Sequence, residues 1–179
     1  MVKKSTLIAL AGAVLLGTGV LAGPARATDF DHLNQCSRAP VKAWMFFTVG
    51  HASLYRQNCD AKNPLSPPLR LAFGYNRKVP GDAFAKSAKA MIKRNISDQE
   101  FDKLKGRIKA FDSHYQTTTD GDLYTLDYDT DQSLVLRLNG KVLATEKGAD
   151  FAHAYFTIWF GKDPFSEDLK QGLLAHQDQ

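Results

Sequence analysis

LYTLDYDTDQSLVLRLNGKVLATEKGADFAHAYFTIWFG, residues 123–161, carries two periodicities back to back. Leu123 to Tyr128, Leu134 to Leu138 and Lys141 to Thr145 alternate apolar and polar side chains, the pattern of half-buried strands. Asn139-Gly140 separates the last two. Both residues tolerate the left-handed backbone of a tight turn, so the pair predicts a hairpin. Gly148 then breaks the alternation, and Asp150 is placed to cap a helix. Phe151, Ala154, Tyr155, Ile158 and Trp159 recur at helical spacing, while Phe156 and Phe160 fall on the other side. A helix apolar nearly all round belongs in a core. Gly161 ends it, Asp163-Pro164 makes a turn, and Ser166 caps a short amphipathic helix with Leu169, Leu173 and Leu174.

Upstream the texture repeats in the same order. Val41 to Arg56 is strand-like, with Trp44, Phe46, Phe47, Val49, Leu54 and Tyr55. The connector Asn63 to Pro68 is proline-rich, and Leu69 to Tyr75 places Leu69, Leu71 and Phe73 on one face opposite Arg70. Pro80-Gly81 breaks that strand, and Asp82 can cap a helix carrying Phe84, Ala88, Met91 and Ile92 as far as Asn95. Ser97 and Glu100 form a capping box for a second helix with Phe101, Leu104, Ile108 and Phe111. Strands, two helices, strands and two helices, with no internal repeat, predict an α+β domain with a largely antiparallel sheet.

The chain has 179 residues, 44% hydrophobic, 23% charged and 11% aromatic, which excludes a disordered tail, a collagen-like repeat and a polytopic membrane protein. Its pI near 9.0 invites a polyanion partner. The formal charge of +4, however, comes from 23 bases against 19 acids, and residues 1–27 hold Lys3, Lys4 and Arg26 with no acid. Without that segment 20 bases face 19 acids. Lys86, Lys89, Lys93, Arg94, Lys103, Lys105, Arg107 and Lys109 are concentrated on the helix pair, but Asp98, Glu100, Asp102 and Asp112 intermingle with them. That is a solvated helix face, and no nucleic-acid partner is expected.

Residues 1–27 read as a secretory signal peptide: a basic start, an apolar run from Leu7 to Ala22, and the small-x-small site Ala25-Arg26-Ala27. The apolar run of about 16 residues is short of the roughly 20 that span a bilayer, and Pro24 stands where a lipoprotein needs cysteine. Cleavage after Ala27 leaves residues 28–179 as a single domain with no stable membrane insertion, in the periplasm or secreted. In an oxidising compartment the pair Cys36 and Cys59 reads as a disulfide. A hairpin turn between Phe47 and Thr48 would set the two opposite each other, although Phe46 to Val49 lacks turn chemistry. A turn at Ala39-Pro40 would hold them apart.

Local catalytic and metal motifs fail inspection. Asp127, Asp129 and Asp131 have calcium-loop spacing, but Gln132 and Leu138 occupy the positions that need glycine and glutamate, leaving a solvated turn. The histidines at 32, 51, 114, 153 and 176 form no metal-binding pair, and Ser53 and Ser87 lack a nucleophile-elbow context. No metal and no cofactor are expected.

Several segments taken together resemble the chalcone isomerase-like family. Phe47-Thr-Val-Gly-His-Ala-Ser-Leu-Tyr55 is similar to the family's strand signature, and Leu69-Arg-Leu-Ala-Phe-Gly-Tyr75 with its helix follows in order. The clearest match is Asn139-Gly140-Lys141, Phe151-Ala-His-Ala-Tyr-Phe-Thr-Ile-Trp-Phe-Gly161, Pro164, Ser166 and Leu169-x-x-x-Leu173-Leu174. The resemblance covers nearly all of residues 28–179 and points to a bacterial exported branch. It implies an open-faced β-sandwich: a large antiparallel sheet, helices packed on one face, and a cleft between.

The plant enzymes of that family orient substrate with Arg, Thr, Tyr and Asn. Aligned through the motifs, the Tyr position falls on Phe84, the Asn position on Met91, the Thr position on Gly50 with Thr48 two residues off, and a C-terminal Ser/Thr position on Ile158. Arg38 stands for the arginine. Phenylalanine, methionine and isoleucine cannot hold a nucleophile or stabilise an enolate. The resemblance therefore implies a non-catalytic cleft lined by Phe84, Met91 and Ile158, with Arg38 meeting the carboxylate of a small amphipathic ligand such as a fatty acid. The alternatives are an isomerase or lyase with a divergent residue set, and an interaction protein in which these residues only fill the core.

Overall fold

The computed structural model describes residue 30, residues 32–43 and residues 47–175. The signal-peptide reading of residues 1–27 and its cleavage after Ala27 lie outside the described residues, as do Trp44, Phe46 and His176. The strands are β1 (Asn34–Ala43), β2 (Phe47–Arg56), β3 (Leu69–Tyr75), β4 (Leu123–Tyr128), β5 (Ser133–Leu138) and β6 (Lys141–Lys147). They form one six-stranded sheet in chain order, every neighbouring pair antiparallel. Helices α1 (Gly81–Asn95) and α2 (Asp98–Asp112) leave after β3, while α3 (Ala149–Phe160) and α4 (Glu167–Leu174) follow β6. The expected α+β class with an open antiparallel sheet is what the chain adopts.

Register decides what is inside. Ala39, Ala52, Phe73, Tyr124 and Leu138 form one cross-strand row, and Ser37, Leu54, Leu71, Leu126, Leu136 and Ala144 form the next. All of these but Leu138 are buried, with the apolar ones meeting the helices in a single core. The intervening row, Arg38, Ser53, Ala72, Thr125 and Arg137, lies on the other face. As its composition predicts, α3 is buried nearly all round: Phe151, Ala152, Ala154, Tyr155, Phe156 and Ile158 are all inaccessible. At the predicted hairpin Asn139 (φ 51°) and Gly140 (φ 80°) adopt the left-handed conformation.

Several local expectations differ. The strand-like run from Val41 to Arg56 is two strands, since Ala43 pairs with Phe47. Pro40 sits inside β1, which tolerates it because an edge strand has one side that needs no donor. Asp82 and Asp150 do not cap: the cap positions are Pro80 and Gly148, without side-chain bonds. Ser97 and Ser166 do cap, accepting from the amides of Glu100 and Leu169, each at 3.2 Å. Leu174 is 44% exposed rather than part of the buried stripe. Two members of the basic cluster are not simply solvated. Arg107 of α2 binds Glu146 (3.0 Å) and Asp150 (2.9 Å), and Arg94 of α1 binds Asp163 (3.2 Å).

Cys36 and Cys59 form a disulfide, with Cα atoms 5.2 Å apart. The route differs from simple opposition across a hairpin. Ala43 pairs with Phe47 and Lys42 with Thr48, so the strands are already paired at Thr48. Register shifts between Gln35 and Ser37, leaving Cys36 as an extra bulged residue. The chain leaves β2 at Arg56 and folds back, and the Arg56 guanidinium donates to the carbonyls of Cys59 and Ala61. The Asp129 and Asp131 carboxylates serve the β4–β5 turn, bonding Thr130 and Ser133. Asp127 departs from the solvated-turn reading: it is fully buried in β4 because two arginines reach it.

A ring-lined cavity as the candidate site

Between the sheet and α1, α3 and α4 lies a cavity of about 180 Å³. Phe73 and Tyr75 on β3 continue the inward alternation of Leu69 and Leu71, so strand parity carries them to its floor. Val41 and Val49 reach it from β1 and β2. A register shift between Val41 and Lys42 leaves Val49 as the unpaired residue of a bulge, which re-aims a side chain that strict alternation would send outward. Ala83, Phe84, Ser87 and Ala88 line it from α1, with Ile158 and Trp159 from α3.

The rings are ordered against one another. Phe73 packs on Trp159 with centroids 5.1 Å apart, and Phe84 stacks on Tyr115 at 5.3 Å. Tyr75 and Tyr124 meet Phe84 edge-on at 5.4 and 5.5 Å. Among the described residues no lining residue carries a formal charge. The polar atoms available are the hydroxyls of Tyr75, Tyr115 and Ser87 and the indole N–H of Trp159. Burial raises the Tyr75 and Tyr115 phenols far above their ordinary range, so both remain protonated.

Tyr115 opens a buried polar chain. Its hydroxyl lies 3.0 Å from that of Tyr155, which donates to Asp112 Oδ1 at 2.7 Å. Burial pushes the Asp112 carboxyl up to about 7, outweighing the hydrogen bond from Tyr155 that pulls it down. The unfolded chain keeps the ordinary 3.8, so between about pH 4 and 7 the folded state holds a proton that the unfolded state has released. Stability contributed by this group is therefore greatest below pH 4, falls as pH rises to about 7, and is level beyond. Asp112→Asn, which keeps an acceptor for Tyr155, is expected to stabilise the protein by about 2 kcal/mol at pH 8 and to change it little at pH 4. Urea unfolding at both pH values checks this, and an equal effect at the two would refute it. Asp112 also borders a groove of about 540 Å³ between α1 and α2, rimmed by Lys86, Lys89, Lys105 and Lys109. The sheet–helix cavity is the better ligand site because its walls are ordered rings rather than long solvated side chains.

Of the residues expected at the site, Phe84 and Ile158 line the cavity. Met91 packs against the core farther along α1. Arg38 does not come to the cavity: it is exposed, pairs with Ser53, and lies on the opposite face of the sheet from Ala39 and Val41. Gly50 cannot host the threonine of the plant enzymes on this backbone, since a Cβ there would stand 2.0 Å from the Gly74 carbonyl oxygen. Sequence reasoning missed Tyr75, Tyr115 and Trp159 as cavity walls. Tyr75 was legible from the parity of β3 and Trp159 from the α3 stripe, whereas Tyr115 arrives from the loop after α2 with no sequence signal. Among the described residues no group of three or more metal-ligating side chains converges, and no helix is long and apolar enough to cross a membrane.

Comparison with known proteins agrees with this architecture. No curated protein matches by sequence. The crystal structure of a fatty-acid binding protein of Arabidopsis thaliana superposes with a TM-score of 0.57 at 13% identity, covering 80% of this chain and 87% of that one. The model of the chalcone isomerase-like family matches residues 38–175, which takes in all of the sheet beyond the start of β1, and all four helices. The chain belongs to the chalcone isomerase-like family.

Proposed function

We propose that this protein is a non-catalytic carrier or sensor of small amphipathic molecules, a fatty acid being the leading class, held in the cavity between sheet and helices. The uncharged, ring-lined cavity of about 180 Å³ carries the reading. The positions where the plant enzymes present polar groups hold Phe84, Met91, Gly50 and Ile158, and the phenols nearby stay protonated, so among the described residues no general base lines the cavity. The name of the similar Arabidopsis protein supports a fatty acid as ligand. We further propose that residues 28–179 act as one exported domain after loss of residues 1–27, a reading supported by the Cys36–Cys59 disulfide.

Protein purified from its own periplasm is expected to carry a small apolar molecule in native mass spectrometry. Added ligand at a hundred times its Kd is expected to stabilise the fold by about 2.7 kcal/mol. Absence of both a co-purified molecule and any ligand-induced rise in Tm would overturn the proposal. Turnover of a chalcone by the purified protein would instead favour the divergent isomerase.

A further inference from the structure

The cavity walls specify more than an apolar ligand. Given that the cavity binds a ligand at all, we propose that it accepts only the uncharged part, so that an amphiphile enters tail first and its polar head stays in water at a mouth beside Ser87 and Phe165.

Among the described residues no side chain lining the cavity bears a charge, and an ionised carboxylate drawn inside would lose its hydration without gaining a cation from them. The arginines that could have served are placed elsewhere. Arg38 lies on the far face of the sheet, and Arg94 is held by Asp163 and the Pro164 carbonyl. The interior hydroxyls are those of Tyr75 and Tyr115, and the latter is engaged with Tyr155. Tyr155 gives its proton to Asp112, so Tyr115 donates to Tyr155 and has only a lone pair left to offer, which suits a neutral hydroxyl and not a carboxylate.

Size and exposure point the same way. An apolar cavity of about 150 Å³ holds one benzene ring, so about 180 Å³ takes roughly seven carbon atoms. That is a short chain, or the tail end of a longer one. The facing pairs Phe73–Trp159 and Phe84–Tyr115 present ring surfaces that gain from any apolar contact without demanding a head group. The lining residues that solvent reaches most freely are Ser87 on α1 and Phe165, which is 40% exposed in the segment between α3 and α4. They mark the mouth. The consequence is a preference set by the tail, with alcohols and other neutral heads binding at least as well as carboxylates.

Calorimetric titration of the disulfide-intact chain with 1-octanol and with octanoate at pH 8 tests the inference. The expected result is that octanol binds as tightly as octanoate or more tightly. Tighter binding of octanoate would place a donor or cation for the carboxylate inside and overturn the tail-first orientation while leaving the binding function intact. Failure of both probes to bind would take the binding function down with it. A second variant keeps the orientation open to refutation. Ser87→Arg, at an exposed position, sets a cation at the mouth and is expected to shift the preference toward octanoate by about threefold at low salt. The shift should fade in high salt. No shift at low salt would mean that the head is not at the mouth.

Discussion

Asp127→Ala is expected to destabilise the protein by about 3–5 kcal/mol, the largest effect of any single polar substitution proposed. Asp127 is wholly buried in β4, on the sheet face turned away from the helices. Arg70 of β3 binds it through Nε at 2.6 Å and Nη2 at 3.0 Å, and Arg137 of β5 binds through Nε at 2.9 Å. Both arginines come from strands flanking β4, so the carboxylate ties three consecutive strands together. Truncation leaves two guanidinium groups, only 22% and 17% exposed, side by side without their shared anion. The cost comes from those stranded charges and not from the loss of one attractive pair, which is why removing all the charges together should cost less. Urea unfolding of Asp127→Ala and of the triple change Arg70→Met/Asp127→Leu/Arg137→Met separates the two ideas. A single variant within 1 kcal/mol of the native chain would dismiss the role assigned to Asp127.

Removal of the disulfide, by reduction or as Cys36→Ala/Cys59→Ala, is expected to cost about 3 kcal/mol. The bridge has a sequence separation of 23 and encloses β1 from Cys36 onward and all of β2, so it removes a large share of the freedom the unfolded chain would have there. For a domain of this size that corresponds to a fall in Tm of roughly 6–12 °C. The edge position of β1 makes the effect local in origin, because among the described residues this strand has one hydrogen-bonded neighbour and otherwise packs on α4, with the Ser37 hydroxyl donating to the Leu173 carbonyl at 2.6 Å. Oxidised and reduced protein unfolding at the same urea concentration would contradict this account. The outcome also bears on location, since a protein that depends on the bridge folds well only where thiols oxidise.

Much of the fold was legible because its elements are strongly periodic. Leu69 to Tyr75, Leu123 to Tyr128 and Leu134 to Leu138 alternate, Asn139-Gly140 names its own turn, and α3 is too apolar to lie anywhere but in the core. The helix starts were less legible. Asp82 and Asp150 have the right chemistry for caps, but Asp150 is engaged by Arg107 and Asp82 lies within the first turn. Those choices depend on partners far away in the chain.

The candidate site was half readable for a related reason. Phe84 and Ile158 were found through family alignment, yet Arg38 was assigned to the cleft against its own neighbourhood, where Arg38 and Lys42 alternate with Ala39 and Val41. In a strand one residue of offset exchanges the two faces, so a residue's parity outweighs its chemistry. Tyr115 and Val49 were out of reach: one arrives on a loop, the other is turned inward by a bulge.

By itself the sequence determined the α+β class, the succession of strand-rich and helical segments, the family and the presence of a paired set of cysteines. Each of these follows from local periodicity, turn chemistry or motif order. Tertiary structure alone decided that the described residues lining the cavity are uncharged, that Arg38 faces away from it, and that Asp127 and Asp112 are buried. These are properties of register and packing: side chains remote in the chain share a face only once the strands have paired.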